Sequence, residues 1–173
     1  EEVIKQLRSL GIGKICMMTG DNLKTARAVA SSLSIDEFHA NVLPEDKANF
    51  IIKEHELGRK VIMVGDGIND SPALSEADVG IAISEGAAIA REIADITISS
   101  DDLHALIELR KISTALMARI SGNYRFILGF NSMLILLGVL GVLPPASSAL
   151  LHNTSTVITG LKSMTDLIDK DKK

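Results

Sequence analysis

The chain has no tryptophan, one tyrosine, four phenylalanines and a single cysteine among its 173 residues. One cysteine rules out an intramolecular disulfide framework and fits a reducing compartment. Cys16 stands inside an apolar run, where it reads as a small buried hydrophobe. No block of lysine and arginine occurs, and the net charge is −4, which argues against a nucleic-acid partner. With aromatics at 3%, the apolar content of 46% is aliphatic. No basic n-region opens the chain, so Glu1-Glu2 does not begin a signal peptide. A start in mid-pattern, without Met, is expected of a piece cut from something longer. Charges are frequent up to Arg125 and then stop until Lys162.

What is present, up to about residue 100, alternates between helix and strand patterns. Val3, Ile4, Leu7 and Leu10 recur at helical spacing, with Gly11 as a stop. Ile15 to Met18 is a short apolar run ending in Thr19-Gly20-Asp21-Asn22, a buried strand entering a turn. Ala26, Val29, Ala30 and Leu33 mark a helix face. Pro44 begins another helix, with Ala48, Ile51 and Ile52 inward. Val61 to Val64, Val79 to Ile83 and Ile96 to Ile98 read as further strands. Continuous apolar strands separated by helices predict an α/β fold with a parallel sheet covered on both faces.

Asp101 and Asp102 suit the N-terminal end of a long helix through Leu106, Leu109, Leu116 and Arg119. From Phe126 to Leu143 there are 18 uncharged residues, about 27 Å of helix against a hydrocarbon thickness of about 30 Å. Pro144-Pro145 breaks the run, and 145–165 is a second candidate span. A buried core helix is the alternative, but it needs a larger surrounding core than this chain supplies. Arg110, Lys111, Arg119 and Arg125 precede the pair, and Lys162, Lys170, Lys172 and Lys173 follow it. That flanking charge predicts a multi-pass arrangement in the lipid bilayer with both ends cytoplasmic.

Two of the strand ends carry loops of small residues with carboxylates: Thr19-Gly20-Asp21, and Gly65-Asp66-Gly67-Ile68-Asn69-Asp70. Ligands of open α/β sheets bind beyond the carboxyl ends of strands, so both loops are expected to converge on one site. Glycines let backbone N–H groups approach a phosphate. Carboxylates would repel it, so the charge balance calls for a hard cation such as Mg²⁺. Lys47, after Pro44-Glu45-Asp46, offers a fixed positive charge for a transferred phosphoryl group. A lone Gly-Asp-Gly would be an ordinary turn; two such loops, each after an apolar strand, argue for a site.

TGDN (19–22), PEDK (44–47) and GDGINDSPAL (65–74) resemble the second half of the phosphorylation domain of P-type ATPases. Ile68 and Ser71 place the resemblance in the heavy-metal-translocating subgroup. It implies a haloacid-dehalogenase-like partial domain over 1–102 and a connecting helix over 103–125. Transmembrane helices over 126–143 and 145–165 and a cytoplasmic tail over 166–173 would follow. It also implies an ATP-driven transition-metal cation pump working through an aspartyl phosphate, with the phosphorylation domain cytoplasmic. Under the resemblance Asp66 is a Mg²⁺ ligand supported by Asp70. Asn69, Thr19 and Gly20 contact phosphoryl oxygens, Lys47 neutralises developing charge, and Asp21 lies on the nucleotide side. ATP would be bound mainly by an N-terminal part that is not in this sequence. The family's nucleophile is the Asp of DKTGT, and DKTGT does not occur here. The sheet is therefore expected to want the strand that ends at that nucleophile.

Polar groups inside a membrane helix are costly and mark transport paths. Asn131, His152, Asn153 and Ser155, with Thr156 behind them, are the candidate contacts for the transported cation. Imidazole suits Zn, Cu, Ni or Fe, while amide and hydroxyl oxygens suit harder ions; an interfacial helix cap is the alternative for His152. Two other functional readings stay open on sequence alone: a membrane-anchored haloacid-dehalogenase-like phosphatase, for which no nucleophilic DxD stands at a strand end, and an inactive truncated remnant.

Overall fold

The computed structural model describes residues 1–65, 68–83, 92–98 and 103–167, and the chain divides into two compact units, 1–107 and 108 onward. The first unit runs α1 (Glu2–Ser9), β1 (Cys16–Met18), α2 (Leu23–Leu33), β2 (Glu37–His39), α3 (Pro44–Glu56) and β3 (Ile62–Gly65). A 3-10 turn (Ile68–Asp70), α4 (Ser71–Glu76), β4 (Val79–Ile83) and β5 (Ile96–Ile98) complete it. All strand pairs are parallel, with Cys16 opposite Glu37, Ile62 opposite Val79 and Ile81 opposite Ile96. The fold is α/β, as the apolar strand runs indicate.

Two sheets, β1-β2 and β3-β4-β5, take the place of the single sheet expected. Among the described residues no ladder joins β1 to β3, so each keeps one edge unpaired within the chain. Nor is β3 covered on both faces. Met63 and Gly65 are buried, whereas Ile62 and Val64 are 47% and 37% exposed. Ile51 of α3, Met63, Ala73 and Leu74 of α4, and Ala82 of β4 form the core, and Met18 of β1 packs against it. That contact sets the first sheet on the same core as the second. The helix faces are narrower than their periodicity suggests. Ala26 and Ala30 are buried, but Val29 is turned outward, and Ile51 is buried beside an exposed Ile52.

An ionic network supplements this small core. Lys14 Nζ lies 2.6 Å from Glu37 and 2.9 Å from Glu54, and Arg59 is 2.6 Å from the other Glu54 oxygen. Glu54 is nearly buried, and Arg59 first, then Lys14, hold its carboxyl below the usual range. Lys14, just before β1, therefore links β2 and α3 through charge-assisted bonds.

Asp78, just before β4, ties three segments together. It accepts from Lys60 at 2.7 Å, from the Val61 N–H at 2.8 Å and pairs with His55 at 2.9 Å. The Lys60 bond is the main reason its carboxyl sits at about 2 rather than 3.8, followed by the Val61 N–H. Stability from Asp78 is therefore fully present above the unfolded value and is lost as pH falls through about 2. In urea unfolding, the stability difference between the natural chain and Asp78→Asn is expected to be constant above about pH 5 and to vanish toward pH 2. A pH-independent difference would contradict this.

The second unit is built on α5 (His104–Val139), which begins within the first, and α6 (Pro145–Ser163). Their side chains bond in antiparallel order. The Arg119 guanidinium donates to the carbonyls of Thr165 and, at 2.8 Å, Asp166; Asn123 donates to Ser163 Oγ at 2.9 Å. Arg119 thereby satisfies carbonyls at and just beyond the C-terminal end of α6, which no intrahelical donor reaches.

The expected transmembrane helices over 126–143 and 145–165 find no support here: among the described residues no helix is long and apolar enough to cross a membrane. The uncharged run does not coincide with one helix. Helix α5 passes through 125–126 without a break but ends at Val139, before Gly141 at φ 70°. Four of the 18 uncharged residues thus fall in the connection. Helix α6 is diluted by Ser147, Ser148, His152, Asn153, Thr154, Ser155, Thr156 and Thr159. Asp101 and Asp102, proposed at the helix start, lie outside the described residues.

Candidate functional site

At the end of β1, Thr19 and Asp21 hold each other. Thr19 Oγ1 donates to Asp21 Oδ2 and accepts from the Asp21 N–H, both at 3.1 Å. Asn22 then caps α2, its Oδ1 accepting from the N–H groups of Lys24 and Thr25 at 3.0 and 3.1 Å. The segment after β2 folds onto this loop, with Asn41 N–H donating to Asp21 O and Val42 N–H to Thr19 O. Gly20 and Asp21 are exposed and Thr19 half-buried.

Helix α3 begins at Pro44, whose missing N–H costs nothing in the first turn. Asp46 accepts from the Leu43 N–H at 3.1 Å and closes that turn. One turn along, Lys47 reaches across to the loop after β3, where its Nζ lies 2.6 Å from Asp70 Oδ1. Both side chains are largely buried, at 16% and 10% exposed. This is a desolvated charge pair 23 residues apart in sequence, and the nearest thing in the first unit to an assembled site. Gly65 closes β3 directly against Asp70. Ser71, next in the chain, has a buried Oγ with no hydrogen-bond partner among the described residues, a feature not legible in the sequence.

Lys47 and Asp70 are thus brought together, while Asn69 is exposed beside them. Asp66 lies outside the described residues. Thr19, Gly20 and Asp21 form a loop of their own, and among the described residues no hydrogen bond joins it to the Lys47–Asp70 pair. Nor does any group of three or more His, Cys, Asp or Glu side chains gather where it would hold a metal ion, among the described residues. Mg²⁺ does not require such a cluster: one or two carboxylates, waters and phosphate oxygens suffice. Asp70, oriented by Lys47 in a slot left free by a glycine, fits that donor set.

In the second unit His152 Nδ1 lies 2.9 Å from Asn131 Oδ1. An amide oxygen only accepts, so this contact puts a proton on Nδ1; in the neutral ring it is Nε2 that carries the lone pair. Both residues, with Leu134, Gly138, Ser148 and Asn153, line a groove of about 690 Å³. Ser155 does not join them; its Oγ donates to the His152 carbonyl at 2.8 Å, back along its own helix.

Residues 1–78 match a haloacid dehalogenase-like hydrolase profile, and residues 48–109 a second profile of the same description. The chain is 43% identical over 157 residues to the zinc-exporting P-type ATPase of Mycobacterium marinum, covering 90% of this chain and 21% of that protein. It is 43% identical over 161 residues to the copper-exporting P-type ATPase of Staphylococcus aureus, covering 92% of this chain and 20% of that one. Its structure superposes with a TM-score of 0.86 on a zinc-transporting PIB-type ATPase in the E2·Pi state, at 32% identity, covering 94% of this chain and 26% of the other. The chain therefore spans about a fifth of the length of the curated relatives it matches.

Proposed function

We propose that the chain, which matches haloacid dehalogenase-like hydrolase profiles and is 43% identical to zinc- and copper-exporting P-type ATPases, is the C-terminal part of an ATP-driven transition-metal pump of that family, working through an aspartyl phosphate. The observation that carries this reading is the Lys47–Asp70 pair beyond the end of β3, within a sequence that contains TGDN, PEDK and GDGINDSPAL but no DKTGT. Relatives that export zinc and copper match equally well, so the identity of the metal is not selected by overall similarity. A free-standing phosphatase is the weaker reading, because the relatives are exporters and no nucleophilic DxD stands at a strand end.

In this proposal the attacking carboxylate and the nucleotide site come from the remaining part of the protein. The edges left open at β1 and β3 support a strand from that part entering between the two sheets. Asp66 and Asp70 hold Mg²⁺, which supplies charge neutralisation between phosphate and carboxylates when bound. Lys47 keeps a positive charge beside Asp70 and faces the developing charge of the transferred group. The Thr19 hydroxyl, the Gly20 N–H and the Asn69 amide orient phosphoryl oxygens, and Asp21 stands on the nucleotide side. Positioning of this kind supplies most of the rate in phosphoryl transfer.

The helical unit we place in the membrane, in keeping with the relatives' transport activity. Ile135, Leu136, Val139, Leu150, Val157 and Leu161 are each more than half exposed, which supports cover by lipid or further helices. Alone neither helix suffices as a span; in a bundle their polar groups are paired, as Asn131 and His152 already are. The basic residues flanking the pair put both ends on the cytoplasmic side. His152 Nε2 is the ligand for the transported cation, with Asn131 fixing its tautomer and Asn153 close by. In the complete protein, His152→Ala is expected to cut metal stimulation of ATP hydrolysis by about 10-fold or more, the scale of losing a metal ligand or its orienting partner. Unstimulated hydrolysis and folding should stay as they were. Unchanged stimulation would make His152 an interfacial cap and remove this cation site.

A further inference from the structure

We infer that Gly65 is a positioning residue: its missing side chain is the space in which Asp70 is held for Lys47, an inference that rests on the phosphoryl-transfer reading above. A methyl group on Gly65 would lie 2.7 Å from Asp70 Cβ, 2.7 Å from Oδ2 and 2.9 Å from Cγ. Carbon contacts are comfortable only from about 3.5 Å, so none of these can be kept. The three atoms belong to one side chain and include its Cβ. Turning the carboxylate alone therefore gives no relief, and Asp70 has to move as a whole. Its Oδ1 is the atom 2.6 Å from Lys47 Nζ, so the same movement separates the charge pair.

Gly80 makes a useful contrast. A methyl group there would meet the Leu74 carbonyl oxygen at 2.5 Å, a clash of helix α4 with strand β4 that touches neither Lys47 nor Asp70. Both glycines permit close packing. At Gly65 alone the packed group is one that carries chemistry.

The test is a size exchange read in the complete protein that carries this segment. Gly65→Ala is expected to lower the unfolding midpoint. Adding Asp70→Gly, which removes all three crowded atoms, is expected to restore the folded yield and midpoint of Asp70→Gly alone. Gly65→Ala is also expected to raise the Mg²⁺ concentration for half-maximal phosphoenzyme formation by about 10-fold, the scale of losing a partner that orients a metal ligand. In an Asp70→Asn background the same substitution should move that midpoint by less than about 2-fold, because two changes acting through one group are not additive. Gly80→Ala should lower stability and leave the Mg²⁺ midpoint in place. A double variant no better folded than Gly65→Ala, or equal Mg²⁺ shifts in both backgrounds, would overturn the role given to Gly65 while leaving the pump reading intact. If the unsubstituted protein formed no Mg²⁺-dependent phosphoenzyme, the underlying reading would fall, and this one with it.

Discussion

Lys47→Met in the complete protein is expected to slow phosphoenzyme formation by about 10²- to 10³-fold, the loss seen when one preorganised electrostatic donor is removed. The same change should destabilise the first unit by about 3 kcal/mol, because removing one partner of a buried ion pair takes away the other's main counter-charge. Asp70 is 7% exposed and Lys47 Nζ is 2.6 Å away, so water cannot simply take the place of the ammonium. Asp70 has a further partner within the chain, which is why the lower end of the range applies. Lys47→Arg separates charge from shape. It keeps the charge, but its planar fork does not reproduce a single short contact in a closed site, so an intermediate loss is expected. Urea unfolding and acid-quenched phosphorylation measure the two effects. A Lys47→Met protein that is stable and phosphorylates at the normal rate would reduce the pair to a surface decoration.

Asp66→Asn is expected to have the larger effect on chemistry and little effect on folding. Carboxylates at the end of β3 repel an incoming phosphate unless a cation lies between them, and such a cation supplies several kcal/mol of charge stabilisation. At about 1.4 kcal/mol per tenfold, Asp66→Asn should lower Mg²⁺-dependent phosphorylation by about 10³-fold or more. The assignment rests on the place of Asp66 between Gly65 and the Asn69-Asp70 turn. A Mg²⁺ titration of phosphoenzyme formation checks it, and normal turnover in the substituted protein would refute it.

Much of the first unit was legible from pattern because β1, β3 and β4 are apolar runs, and β1 and β3 lead into loops of glycine and aspartate. Strand β2 was not. Glu37-Phe38-His39 has one apolar residue, and its pairing with β1 is secured by Lys14 at 2.6 Å from Glu37, a contact made only after folding. Helix periodicity identified the faces of α2 and α3 but not their width, since Val29 and Ile52 stay 39% and 40% exposed. The division into two sheets was hidden too: a ladder needs a partner strand, and none of the strands here lies between β1 and β3. The uncharged run at 126–143 was read by length, whereas the helix obeys its local stop at Gly141. At the site, spacing could not join Lys47 to Asp70. The family resemblance implies a phosphoryl-transfer role for both, and the structure adds that their side chains meet at 2.6 Å. The space at Gly65 could not be read at all, because a glycine's missing atom has meaning only once its neighbour is placed.

The central claim is that this segment completes a phosphorylation site whose attacking carboxylate lies elsewhere in the protein. The complete protein should be incubated with γ-labelled ATP and Mg²⁺, acid-quenched and cleaved, and the label located. The account predicts a hydroxylamine-sensitive acyl phosphate on a segment outside these residues, and no label when this chain is incubated alone. A hydroxylamine-sensitive label on an aspartate of this chain would contradict it.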